Sequence, residues 1–271
     1  MTKVKHAFLV VIYNRPASNC VALTAVLENL NDSQKLVIYD NSVQSQMDIK
    51  LPETVVYKHD SRNKGLFTAY NYAVDLCRDL KIKWLTIFDQ DTCIPSAYFK
   101  ILNEKLTHQA NGVGCIVPNV YIEKGKKISP FIIENNLFLF NKNSNKTLGA
   151  INSGCTININ AFDNTRIFSP SFPLDFLDYD FFWKLKRNNL KVSCIHINLV
   201  QELSVSDYKT MTDRRFCSFI CSERKFIMKR YPQMLLQYKL KMIVRLLNMV
   251  LKNVQISKIK FAVKALRGKC V

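Results

Sequence analysis

Phe8-Leu9-Val10-Val11-Ile12-Tyr13-Asn14-Arg15 is an unbroken apolar run that stops at an amide and a cation. A strand with one wet face alternates apolar and polar residues. A run without alternation needs cover on both faces, the situation of a parallel strand beneath crossover helices. The pattern repeats along the chain: residues 36–39, 54–57 and 84–88 read as further strands, and the amphipathic stretches 18–30 and 66–80 as helices between them. Strand, helix, strand, strand, helix, strand makes an open α/β sheet.

Such sheets hold ligands beyond the carboxyl ends of their strands, so the polar residues that follow each strand are the candidate site. They are Asn14 and Arg15; Asp40, Asn41 and Ser42; His59 to Asn63; and Asp89-Gln90-Asp91. Neither a Gly-x-Gly-x-x-Gly turn nor a P-loop is present, so a phosphate has to be held another way. Asp89 and Asp91, one residue apart at a strand end, can aim oxygens at one hard divalent cation that neutralises a diphosphate. The other reading is a solvated turn whose Asp caps a helix starting near Pro95.

Further on, residues 113–118 and 137–140 read as strands, with hairpin-like polar insertions around 123–127 and 141–146. Ser153-Gly154 between apolar residues permits close backbone approach, by a ligand or by a neighbouring strand. Asp175, Asp178 and Asp180 lie in an otherwise aromatic run that continues as a helix to Arg187. A helix from Asp178 puts Asp180 one turn from Lys184 and leaves Asp178 at the positive end. Among Phe176, Leu177, Tyr179 and Phe181 a carboxylate is partly desolvated, which raises its pKa and suits a general base. The helix dipole opposes that shift, and simple capping is the alternative use.

With 271 residues, 48% of them hydrophobic, the chain can bury a substantial core, and seven glycines and eight prolines exclude fibrous and low-complexity classes. Nine cysteines with no Cys-x-x-Cys pair argue against a zinc site or disulfide framework and read as reduced apolar fillers. The net charge of +18 is concentrated at the end: residues 209–271 carry 16 Lys and Arg against Asp213 and Glu223. No apolar run is long enough to span a bilayer and the first residues do not read as a signal peptide, which gives a cytoplasmic expectation. From Arg214 the chain reads as helices broken near Tyr231-Pro232, with Leu240, Ile243, Val244, Leu247, Val250, Leu251 and Val254 on one side and Lys241, Arg245 and Lys252 on another. A basic amphipathic helix on an anionic membrane surface is one reading, a helix pair packed on the sheet the other.

The order and spacing of Val10 to Arg15, Val37 to Ser42, Asn63 to Asn71, Leu85 to Thr92, Asn152-Ser153-Gly154 and Asp175 to Asp180 resemble a family 2 inverting glycosyltransferase of the GT-A fold. Asp-Gln-Asp-Thr in particular is similar to the rhamnosyltransferase-like branch that builds bacterial O-antigen and capsule. The resemblance implies a Rossmann-like, mixed, mostly parallel sheet with flanking helices and a C-terminal basic helical extension. It divides the chain into a catalytic domain over 1–208, with a nucleotide-binding half (1–92) and an acceptor-side half (93–208), and a tail over 209–271.

The resemblance also implies roles. Asp40 would bond the pyrimidine base, Asn63 and Gly65 line the nucleotide pocket, and Tyr13, Asn14, Arg15, Asn71 and Gln90 complete the donor side. Asp89 would lie near ribose and metal, Asp91 would hold Mg2+ or Mn2+, and Asp178 would be the catalytic base. Ser153, Gly154, Asp175 and Asp180 would face the acceptor. The implied reaction moves L-rhamnose from dTDP-rhamnose to a polyprenyl-diphosphate-linked oligosaccharide, by an enzyme peripheral at the inner face of the cell membrane and able to form a homo-oligomer. A UDP-hexose donor is the alternative within the class. The competing class, a nucleic-acid-binding protein, suits the basic tail but leaves the strand-end acids unexplained, so nucleic acid is not expected as a partner. A sugar-nucleotide-forming nucleotidyltransferase would need glycines that Asn14-Arg15-Pro16-Ala17 lacks. Two departures stand out: Lys184 where the family has Arg, and Gln201 where it has His, which puts a third metal ligand in doubt.

Overall fold

The structure, a computed structural model, describes residues 5–108, 112–139, 146–162, 165–202 and 208–269. Its strands are β1 (His6–Ile12), β2 (Gln34–Asp40), β3 (Val56–His59), β4 (Trp84–Asp89), β5 (Val113–Tyr121), β6 (Lys127–Ser129), β7 (Phe131–Ile132), β8 (Leu148–Gly149), β9 (Thr156–Asn158) and β10 (Lys191–Val200). The main sheet runs β10-β5-β9-β4-β1-β2-β3, with β6 added beside β5. Pairings among β4, β1, β2 and β3, and that of β5 with β10, are parallel, whereas β9 is inserted antiparallel between β4 and β5.

β1 shows why the sequence folds this way. Its seven residues are all buried, and the side chains divide by the two-residue period. Ala7, Leu9 and Val11 join one core, packed under α2 (Leu66–Asp79) and α5 (Leu177–Arg187). Phe8, Val10 and Ile12 join the other, under α1 (Val21–Asn29) and α3 (Ala97–Thr107). A mixed, mostly parallel sheet between helices is therefore the architecture, and every strand of the parallel half delivers its last residue to one edge.

Residues 137–139 do not form the expected strand; a short helix, α4 (Ile133–Leu137), precedes them, and residue 140 lies outside the described residues. Buried Glu134 accepts hydrogen bonds from the Thr147 N–H at 2.8 Å, the Thr147 hydroxyl at 2.5 Å and the Tyr231 hydroxyl at 3.0 Å. Satisfying that carboxylate fixes the turn and seats Phe138 against Tyr231. The turn at residues 122–126 matches the first expected insertion; most of the second, 141–145, lies outside the described residues.

After residue 208 come α6 (Asp213–Arg230), α7 (Leu235–Leu251) and α8 (Ile256–Leu266), with the expected break at Tyr231-Pro232. Phe216, Ile220, Phe226 and Ile227 belong to the same core as Phe168, Phe172, Phe176 and Phe181, so α6 is packed against the face that carries α5. The orientation of α7 corrects the sequence reading. Lys241 donates to the Asn136 carbonyl and Arg245 grips Glu223, with Nη2 to Oε1 at 2.8 Å, while Leu240, Ile243, Val244 and Leu247 are exposed. Glu223 is the reason: a buried carboxylate without a counter-charge costs several kcal/mol, more than leaving part of an apolar stripe in contact with water.

Candidate functional site

The carboxyl edge of the sheet gathers the strand-end residues, beginning with Asp89 at the end of β4. Its backbone N–H donates to Ser153 Oγ at 3.0 Å, and that hydroxyl lies 2.6 Å from Thr92 Oγ1; Ser153 and Thr92 are both fully buried. Gly154 follows at φ 82°, its N–H on the Ile87 carbonyl at 2.7 Å, and a Cβ there would come within 2.7 Å of Leu199 and Pro118. Ser153 and Gly154 thus brace the acidic turn from beneath, a different place from the acceptor side expected of them.

Gln201, just past β10, donates its Nε2–H to Asp89 Oδ2 at 2.9 Å. Asp91 Oδ1, Gln201 Oε1 and Asn152 Oδ1 are buried without a protein partner. Burial, then the charge of Asp91, raises the Asp89 pKa to about 6; burial raises that of Asp91 as well. Two desolvated carboxylates beside unpartnered carbonyl oxygens are a set of hard oxygen donors lacking positive charge, so these residues fit a divalent cation. Among the described residues no group of three or more His, Cys, Asp or Glu forms a metal cluster, so any such site draws on amide oxygens and on its ligand.

Just past β1, Tyr13 is 46% exposed and its backbone is clamped by Gln90, which accepts from the Tyr13 N–H at 2.8 Å and donates to the Tyr13 carbonyl at 3.2 Å. Asn14 adopts φ 48° and donates its N–H to Ser42 Oγ at 2.8 Å. Arg15 sits close enough for its charge to act on Asp91, with Glu202 3.8 Å away. Asp40 is placed differently from expectation. Fully buried, it accepts from the Ser42 N–H at 2.9 Å, the Gln46 N–H at 2.7 Å and the Tyr57 hydroxyl at 2.9 Å, so its oxygens shape the loop and are not presented to a base.

Asn63 and Gly65 both take left-handed backbone, φ 42° and 103°, ahead of α2. Gly65 lies so near Pro173 that a Cβ would sit 2.3 Å from its carbonyl oxygen. Asn71 also departs from its expected role: its amide donates to the carbonyls of Phe67 and Phe168, both at 2.9 Å, and accepts from the Phe168 N–H at 3.2 Å. It ties α2 to the segment leading toward Asp178.

The three acids of that segment separate into distinct environments. Phe176 holds φ 65°, costly for a bulky residue, and is packed against Tyr179, Phe219 and Phe226. The turn it makes starts α5 with half-buried Asp178, whose Oδ1 accepts the Tyr179 N–H at 2.8 Å. Burial raises the Asp178 pKa to about 7, with added repulsion from Asp175 and Asp89, and wins over the backbone hydrogen bonds that lower it. Asp175 pairs with Arg215 of α6. Asp180, 1% exposed, is ion-paired with Lys184 at 3.0 Å and Arg230 at 2.6 Å, and Arg230 also lies 4.4 Å over the Trp183 ring. The expected Asp180–Lys184 pair is present; the acceptor-side assignment of Asp180 is corrected, because two cations occupy its carboxylate in the interior. The guanidinium missing at position 184 arrives from α6.

Tyr70 escaped the sequence reading. Its hydroxyl is buried beside the Asn152 amide and the Asp89 carboxylate, and after burial itself the charges of Asp89 and Asp178 do most to raise its pKa. It therefore lies in the field of both Asp89 and Asp178. A Tyr inside an amphipathic helix looks like any core aromatic until the sheet edge is assembled, which is why no signal found it. Two surface hollows, about 460 Å³ along α1 and about 620 Å³ by Lys83 and Trp84 at the sheet's other edge, include none of these residues.

Comparison with known proteins bears on this edge. No curated protein sequence matches the chain. Among solved structures, the mannosyltransferase PcManGT from Pyrobaculum calidifontis, in complex with GDP-Man and Mn2+, superimposes with a TM-score of 0.54 at 12% identity, over 97% of this chain and 74% of that one. S. aureus TarS residues 1–349 in complex with UDP-GlcNAc gives 0.52 at 12% identity, over 84% and 67%. The longer S. aureus TarS structure gives 0.52 at 12% identity over 84% of this chain, which spans only 40% of that one. At such identities the likeness is one of fold. The sequence model of glycosyl transferase family 2, however, matches residues 8–166, more than half of the chain and all of the strand ends from Asn14 to Ser153, and to that family the protein belongs.

Proposed function

We propose that this glycosyltransferase is inverting and moves L-rhamnose from dTDP-rhamnose to a polyprenyl-diphosphate-linked oligosaccharide. The observation that carries the inverting reading is the Asp178 carboxylate, pushed up to about 7 and joined through the field around Tyr70 to the strand-end acids. A base of that pKa is half ionised near neutrality and returns its proton readily. The acceptor hydroxyl loses its proton to Asp178 while its oxygen bonds to the anomeric carbon. The bond from that carbon to the diphosphate oxygen breaks on the opposite face, so one displacement inverts the centre.

Asp91, with Asp89, Gln201 and Asn152 around it, would hold Mg2+ or Mn2+, which neutralises the charge growing on the leaving diphosphate. Arg15 adds a cation at the same edge. Gln201 keeps Asp89 oriented through its Nε2–H and, unlike the imidazole it replaces, carries no titrating group. The exposed Tyr13 ring and the 63–65 turn form the nucleotide side, and the half-buried Asp178 carboxylate faces the acceptor, while Asp175 is held by Arg215. The specific donor rests on the resemblance of Asp89-Gln90-Asp91-Thr92 to rhamnosyltransferases.

Calorimetric titration of the whole chain with dTDP, UDP, GDP and a short DNA duplex, with and without Mn2+, tests this reading. Metal-dependent binding of dTDP in preference to the others is expected. Preference for UDP or GDP overturns the donor assignment, and DNA binding without any nucleotide response overturns the site.

A further inference from the structure

α7 exposes a continuous apolar stripe: Leu236, Leu240, Ile243, Leu247, Val250 and Leu251 are 45–79% accessible. Their spacing of three, four and one residues puts them on one side of a helix about 25 Å long. The opposite side is occupied within the protein by Tyr238, Met242, Met249 and the Arg245–Glu223 pair. Among the described residues nothing covers the stripe, and a single sheet of leucines this long is uncommon on a monomer's surface.

The charge around it selects the cover. After Glu223 the chain contains no acid and thirteen Lys and Arg, of which Arg230, Lys241, Arg245 and Lys258 are engaged within the protein and do not border the stripe. Lys239 is exposed one turn from both Leu236 and Ile243, and Lys252 is exposed at the far end. A second copy meeting this face would set the exposed Lys239 and Lys252 of one stripe near those of the other, with no carboxylate in α7 or α8 to offset the repulsion. An anionic lipid interface supplies both an apolar layer for the leucines and negative headgroups for the lysines. We propose that the outward face of α7 docks on an anionic membrane, with its long axis in the interfacial plane. The proposal rests on the surface of α7, independently of donor and acceptor.

The test is co-sedimentation of the intact chain with vesicles of phosphatidylcholine containing 30 mol% phosphatidylglycerol, and with pure phosphatidylcholine, at physiological salt. Wild type is expected to pellet with the anionic vesicles only. Leu240→Glu with Leu247→Glu should lower the partition coefficient at least tenfold, and Lys239→Glu with Lys252→Glu should lower it severalfold. All four side chains are exposed, and nucleotide titration of each variant reports whether the catalytic sheet is intact. Unchanged binding by the leucine variant, equal binding to both vesicle types, or a wild-type dimer that this variant converts to monomer without any vesicle binding would each overturn the proposal. Loss of vesicle binding with nucleotide binding retained separates this surface from the catalytic reading.

Discussion

Replacing one carboxylate oxygen of Asp178 by an amide nitrogen separates two effects that act in opposite directions. Asp178→Asn removes the proton acceptor and is expected to lower kcat by about 10²–10⁴-fold while leaving nucleotide affinity within about twofold. In the wild type, kcat/KM should rise with pH through about 7, where Asp178 ionises. Stability moves the other way. A carboxyl whose folded pKa lies above its unfolded value binds more protons when folded, so folding loses free energy as pH climbs from about 4 to 7. That shift corresponds to at most about 4 kcal/mol, reduced by solvent at the exposed rim, so at pH 8 the Asn variant is expected to melt about 2–6 °C higher, and at pH 4 no higher. A pH-independent rate, or a Tm difference equal at both pH values, would show that Asp178 ionises elsewhere. At this scale the sequence revealed residue types better than duties: Asp89 and Asp91 stand at the sheet edge and Asp178 in the first turn of α5 within the field of Asp89, but Asp40, Asn71 and Asp180 are absorbed by internal hydrogen bonds and ion pairs. Their partners, Gln46 and Tyr57, Phe168, and Arg230, are set by folding rather than by neighbourhood in the chain.

Elements differ in how locally they are determined. β1 to β4 and the two helices between them followed from apolar runs and periodicity, because each pattern is complete within a dozen residues. α4 did not, since its reason is Glu134 meeting Thr147 and Tyr231, the latter 97 residues away. The turn into α2 gives a test of geometry against flexibility. Gly65→Ala forces a Cβ to 2.3 Å from the Pro173 carbonyl at φ 103°, whereas Gly125→Ala at φ 75° meets nothing within 4 Å. Chemical denaturation should show Gly125→Ala costing about 1 kcal/mol and Gly65→Ala at least about 3 kcal/mol. Equal costs would mean that the α2 turn and the Pro173 segment are not held against each other.

Across the whole molecule, α6 reaches both acids that flank Asp178: Arg215 near its start takes Asp175, and Arg230 at its end takes Asp180. Arg230→Ala strands part of a buried charge and should destabilise the fold by about 3 kcal/mol; adding Asp180→Asn, which removes the charge, should recover most of it. Additive losses in the double variant would deny the coupling. The sequence placed these helices as a basic extension and could not show the connection, because a cation in an amphipathic helix looks alike whether it meets water or a carboxylate.

Phe219 and Phe226 of the same helix hold Phe176 in its left-handed turn, yet the family's sequence model ends at residue 166. A change of side-chain size at Phe219 or Phe226 therefore reaches the Asp178 turn from a helix that the family's sequence model does not include.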